Sequence, residues 1–185
     1  MSLTFSRRSF LKYTAVAAVA VAGSSLLTGC KDNPYQPEGT IGSKLTIMGD
    51  FTLLADPAPT YSASDKKFAC NLLIKCTSKR NLYVTPDCFK VEVVYKDSDD
   101  KEVKNTYYSK QAENNNVNLS KSEPKLEKND SLETQLRVGG IEIPDGATVN
   151  VIYWPRAQAS EGLLSYTDAY ATWSMKRNGD GFDKV

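Results

Sequence analysis

A chain of 185 residues with 23 basic and 22 acidic side chains has a formal net charge of +1, so nothing suggests the concentrated basic surface that nucleic acid requires. Histidine is absent, which excludes Ser-His-Asp and Cys-His hydrolases together with histidine-ligated zinc, blue copper and haem. No Cys-x-x-Cys pair and no glycine-rich phosphate loop is present, so no cofactor, no metal and no enzymatic role is expected.

The chain opens with Arg7, Arg8 and Lys12 and no acid ahead of an apolar run from Tyr13 to Leu27. That run is about 15 residues, short of the ~20 needed to span the hydrocarbon core, and fits a cleaved signal segment. Ser6-Arg7-Arg8-Ser9-Phe10-Leu11-Lys12 resembles a twin-arginine export signal, and Leu27-Thr28-Gly29-Cys30 resembles a bacterial lipobox. The resemblance is to twin-arginine-exported lipoproteins. It implies a signal helix and peptide over 1–29, export of a folded chain, lipid on the Cys30 thiol and cleavage just before it. The implied partners are the translocase, the lipoprotein-processing enzymes and a membrane held through acyl chains. Loss of Arg7, Arg8 and Lys12 with the leader leaves 20 of the 23 basic groups against 22 acids, a net charge of about −2. Residues 30–43 hold two prolines and two glycines and read as a flexible tether of up to ~45 Å.

From Lys44 the pattern has period two. Leu45, Ile47, Gly49, Phe51 and Leu53 alternate through a strand to Leu54, which Asp56-Pro57-Ala58-Pro59 ends. Phe68, Cys70, Leu72, Ile74 and Cys76 share one face of the next strand. After the polar turn Thr77–Asn81, Leu82–Thr85 forms a short strand closed by Pro86-Asp87. Phe89, Val91, Val93 and Tyr95 then alternate with Lys90, Glu92 and Val94. The acidic turn Asp97-Ser98-Asp99-Asp100 returns the chain as a hairpin partner, Glu102–Ser109. Lys110–Asp130 is a long polar loop, and loops of that length tend to be functional or disordered. Strands are expected over Leu132–Val138, Ala147–Trp154 and Ala169–Met175, with a loop over Arg156–Thr167 that could include one helical turn. The tail 178–185 is expected to be flexible.

About seven or eight short strands without a long helix predict an all-β antiparallel sandwich over 44–177. The order of elements resembles the small immunoglobulin-like domains of bacterial lipoproteins. It is carried by Phe89-Lys90-Val91, the acidic turn after it and Lys128-Asn129-Asp130-Ser131 ahead of a paired strand. No functional residue carries over from that family.

Once Cys30 takes lipid, Cys70, Cys76 and Cys88 remain. Six residues of strand hold Cys70 and Cys76 ~20 Å apart, beyond the ~7 Å limit of a disulfide. Two readings stay open: a Cys76–Cys88 disulfide, or small buried thiols. Parity points Cys88 away from the Phe89 face. Calcium at Asp97, Asp99 and Asp100 fails because Glu102 and Tyr108 stand where an EF-hand needs Gly and Glu.

The leading expectation is a lipid-anchored cell-envelope lipoprotein whose domain binds an extracytoplasmic protein through Tyr107, Tyr108 and the 110–130 loop. A carbohydrate- or cell-wall-binding module is the alternative, favoured if Trp154 and Trp173 share an exposed flat face. An accessory subunit of an exported redox enzyme is another. Replacing Arg7 and Arg8 by Lys should abolish export, read as precursor retained in the cytoplasm after fractionation. Normal export would assign the chain to the general secretory route.

Overall fold

The computed structural model describes residues 36–185 apart from 48–50, 56–57, 78–80, 110–115, 155, 160–161 and 166–168. In chain order the strands begin with β1 (Glu38–Thr40), β2 (Lys44–Ile47), β3 (Phe51–Ala55), β4 (Thr60–Ser62), β5 (Lys67–Cys76) and β6 (Leu82–Val84). They continue with β7 (Phe89–Lys96), β8 (Glu102–Tyr108), β9 (Val117–Leu119), β10 (Glu123–Leu126) and β11 (Ser131–Gly139). The last are β12 (Thr148–Tyr153), β13 (Arg156–Ala159), β14 (Gly162–Ser165), β15 (Ala171–Asn178) and β16 (Gly181–Lys184).

Alternation decides the centre of each large sheet. In β5, Phe68, Cys70, Leu72, Ile74 and Cys76 are all buried, and the residues between them are not. Its full-length antiparallel partner β11 buries Thr134, Leu136 and Val138. Together they centre a sheet of order β2-β3-β5-β11-β9, with β4 continuing along the same edge of β5 as β3. The second sheet, β1-β15-β12-β7-β8, is centred on β12, which buries Val149, Val151 and Tyr153. The inner faces of both sheets share one hydrophobic cluster, so each supplies the apolar cover the other needs.

A third, four-stranded sheet of order β10-β6-β13-β14 closes one end. Each of its strands is an excursion between strands of the large sheets. Leu82, Val84 and Leu126 anchor it to the core. The Tyr153 hydroxyl donates to the Tyr83 carbonyl at 3.3 Å, and the rings of Phe89 and Tyr153 lie 4.8 Å apart beneath it. Burial pushes the Tyr153 hydroxyl well above its ordinary pKa, and the neighbouring Cys88 and Cys76 add to the shift.

The architecture is all-β and antiparallel as expected, with corrections in its short elements. The strand expected over Lys44–Leu54 is a hairpin, β2 paired to β3 in the register Ile47↔Phe51. The tether is shorter than expected, because β1 pairs in parallel with β15 and Ile41 is buried. The 110–130 segment contains β9 and β10, and 156–167 contains the hairpin β13–β14. The tail is strand β16, its Phe182 ring edge-on to Phe68 at 5.5 Å. Cys88 closes a 3-10 turn, Pro86–Cys88, so strand parity does not apply to it; it is fully buried. Cys70, Cys76 and Cys88 are thiols outside any disulfide, which removes the Cys76–Cys88 disulfide. The signal helix expected over 1–29 lies outside the described residues.

Gly39 sits opposite Trp173 in the β1–β15 ladder. A Cβ there would meet Leu45 Cδ2 and Ser43 Cβ at 2.9 Å each. Gly39→Ala should therefore cost about 1–3 kcal/mol through overpacking, measured by urea unfolding of the domain. An unchanged midpoint would mean that β1 is not held against the core.

Candidate functional site

The outward face of the β8-β7-β12-β15 sheet carries a cluster that its register predicts. Tyr108, Lys90, Ile152 and Thr172 fall in one row across the four strands. The next row towards the end sheet brings Trp154 beside Tyr170, ring centroids 5.9 Å apart. The Lys90 ammonium stands 4.4 Å over the Trp154 ring, within cation–π range. One row the other way, Glu92 lies opposite Thr106 and Asn150.

Glu92 is the unusual member, a carboxylate buried on the outer face. Lys90 reaches it at 2.8 Å and Lys104 at 2.7 Å. Burial alone would raise its pKa, but hydrogen bonds and charge from Lys104 and Lys90 outweigh that and hold it below the usual carboxylate range. Lys90 thus joins an ion triad to the Trp154–Tyr170 pair.

The structure separates the residues that the sequence brought together. Tyr107 faces inward, packs against the core and accepts a hydrogen bond from the Glu142 amide at 3.2 Å. Tyr108 is half-buried on the outer face. Neighbouring strand residues point to opposite faces, so the two do not form one surface. Trp173 is in the core, its indole N–H donating to the Ser43 carbonyl at 2.9 Å, and Trp154 is on the other face of the sheet. They build no flat platform, and Lys90 covers one side of Trp154.

The acidic turn is also committed to structure. The Asp97 carboxylate accepts from the amides of Asp99 and Lys101 at 2.9 and 3.0 Å. Asp100 pairs with Lys96 at 2.8 Å. A shallow cleft beside β10 is edged by Glu123, Lys125, Glu127 and Asp130, and within it Lys125 and Glu127 pair at 2.9 Å. Among the described residues no group of acids and thiols is placed to hold a metal ion.

Sequence reasoning missed the end sheet, which joins three excursions, 77–88, 120–130 and 155–168, into one layer. Its signal was weak: Leu82 and Val84 alternate, but their partner strands offer only the isolated Leu126 and a short hairpin. Arg7, Arg8, Leu27, Thr28, Gly29 and Cys30 lie outside the described residues.

Residues 4–24 match the TAT (twin-arginine translocation) pathway signal sequence. The chain is exported from the cytoplasm by that route and engages the twin-arginine translocase. Comparison with curated proteins returns no match. Among solved structures, a crystal structure of a Bordetella pertussis protein described as ApaA matches with a TM-score of 0.36. It is 11% identical and covers 75% of this chain and 98% of its own. That likeness is too distant to assign a fold or an activity.

The Glu92 triad has a pH signature. A carboxylate with a depressed folded pKa adds stability above the unfolded value of about 4.3, lost as pH falls through the folded value. Glu92→Gln should lower stability by about 1–2 kcal/mol at neutral pH, and the difference should shrink towards pH ~3. A difference that stays constant with pH in urea titrations would mean that the triad does not hold Glu92 ionised.

Proposed function

We propose that the mature protein is a cell-envelope lipoprotein, held to a membrane by lipid on Cys30, whose domain binds an extracytoplasmic protein and performs no catalysis. The observation that carries this reading is the end sheet β10-β6-β13-β14. Binding surfaces are disproportionately built from connections held on a rigid scaffold. Here the connections have their own hydrogen-bonded layer with two sheet edges. Edge β10 includes Pro124 and Lys125, residues that blunt strand pairing. Edge β14 is Gly-Leu-Leu-Ser, without charge or proline, and suits an added partner strand. The missing histidine supports binding over catalysis.

The immunoglobulin-like assignment belongs to the same proposal. Named A to G in chain order, β3, β5, β7, β8, β9, β11, β12 and β15 take the places A, B, C, C′, D, E, F and G. The observed orders β3-β5-β11-β9 and β15-β12-β7-β8 then read A-B-E-D and G-F-C-C′, the strand orders of a variable-type domain without its C″ strand. The chain departs from antibody domains in two ways. Cys70 and Cys76 sit on β5 with no cysteine on β12, and its buried tryptophan is on β15 rather than on strand C.

In-cell crosslinking of the tagged full-length protein, followed by mass spectrometry, tests the reading. One partner is expected to be reproducible, to disappear with Cys30→Ala and to disappear when residues 156–165 are replaced by a short Gly-Ser turn. A Cys30→Ala protein that still matures and stays in the membrane fraction would overturn the lipid anchor. No partner above background for correctly localised protein would overturn the binding role.

A further inference from the structure

The end at which the chain enters the domain is the end that carries the four-stranded sheet. β1 runs parallel to β15, and its first residue, Glu38, stands opposite Thr172, one residue into that strand. The Pro37 carbonyl accepts from the Thr172 amide at 3.0 Å. Tyr153, the last residue of β12, and Phe89, the first of β7, share that end with Ala171, and the excursions β6 and β13–β14 arise there. The β7–β8 and β15–β16 turns lie at the opposite end of the same sheet.

Only residues 31–37 separate Cys30 from β1. Fully extended, the seven Cα steps from Cys30 to Pro37 reach ~24 Å. The seven steps of β7 from Phe89 to Lys96 span ~23 Å, and the β7–β8 turn extends the sheet beyond that. A domain turned upside down would need its tether stretched to that limit.

Resting on the lipid-anchor reading above, we propose that the fold points its end sheet at the bilayer, so that its partner is a protein embedded in the same membrane, met at the membrane surface. Lipid itself is the poorer occupant. The described charges along β10 are mixed, with Lys125 paired to Glu127.

Fluorescence energy transfer tests the orientation. Lys125→Cys on the end sheet and Asp99→Cys in the β7–β8 turn each place one exposed thiol, while native Cys70, Cys76 and Cys88 are buried and spared by maleimide. Full-length lipidated protein carrying a donor dye is reconstituted into phosphatidylethanolamine–phosphatidylglycerol vesicles with a headgroup acceptor. Transfer from position 125 should exceed that from position 99 several-fold, and a long Gly-Ser insertion after Asp32 should erase the difference. Equal transfer in protein that floats with the vesicles overturns the orientation and leaves the anchor standing. Protein that fails to float overturns the anchor, and the orientation with it. Quenching of the position-125 dye by an acyl-chain quencher would make lipid the occupant and overturn the protein partner.

Discussion

The hydrogen bond from the Trp173 indole to the Ser43 carbonyl, 2.9 Å long, ties the two large sheets to the start of the domain. A buried indole needs a partner for its N–H, and leaving that group unsatisfied would cost about 1–3 kcal/mol. The partner is the carbonyl at which the chain crosses from β1, on one sheet, to β2, on the other. Gly39 stands opposite Trp173 in the ladder, and Leu45 and Ser43, the residue whose carbonyl takes the indole N–H, leave no room there for a Cβ. The path of β1 into β2 is thereby set from the interior.

β15 extends that constraint to both termini. β1 occupies the stretch beside Thr172–Ser174, and β16 pairs along Met175–Asn178. The Val185 amide then donates to the Thr40 hydroxyl at 3.3 Å. Parallel β1 and antiparallel β16 together shield backbone that would otherwise be exposed beside β15. The same core residues support the end sheet, since Tyr153 is buried between the thiols and Phe89 while its hydroxyl holds the backbone of β6.

The long strands were legible because five buried positions at period two, as in β5, leave no other reading. The short ones were not. β10 buries one residue of Glu-Pro-Lys-Leu, and β16 is Gly-Phe-Asp-Lys with a half-buried Phe182. Strands of this kind are specified by partners distant in sequence rather than by their own composition. Two features of the site were nonetheless readable. Period two puts Tyr107 and Tyr108 on opposite faces and sets Trp154 opposite to Val149, Val151 and Tyr153. What the sequence could not convey was that Lys90, Glu92 and Lys104 converge, because that depends on the Lys90↔Tyr108 register between β7 and β8.

The thiols connect this fold to the export route. Cys70, Cys76 and Cys88 are all reduced and buried, and the Cys88 thiol contacts the Tyr83 carbonyl at 3.6 Å. A chain that crossed a membrane unfolded into an oxidising compartment would expose these thiols to mispairing within or between chains. Folding first in a reducing cytoplasm seals them inside the core, and buried thiols held as uncharged groups react slowly with oxidants. The twin-arginine signal at 4–24 belongs to a route that, by the resemblance on which the leader was read, carries folded chains. An interior completed before export would keep Cys70, Cys76 and Cys88 out of reach of oxidants.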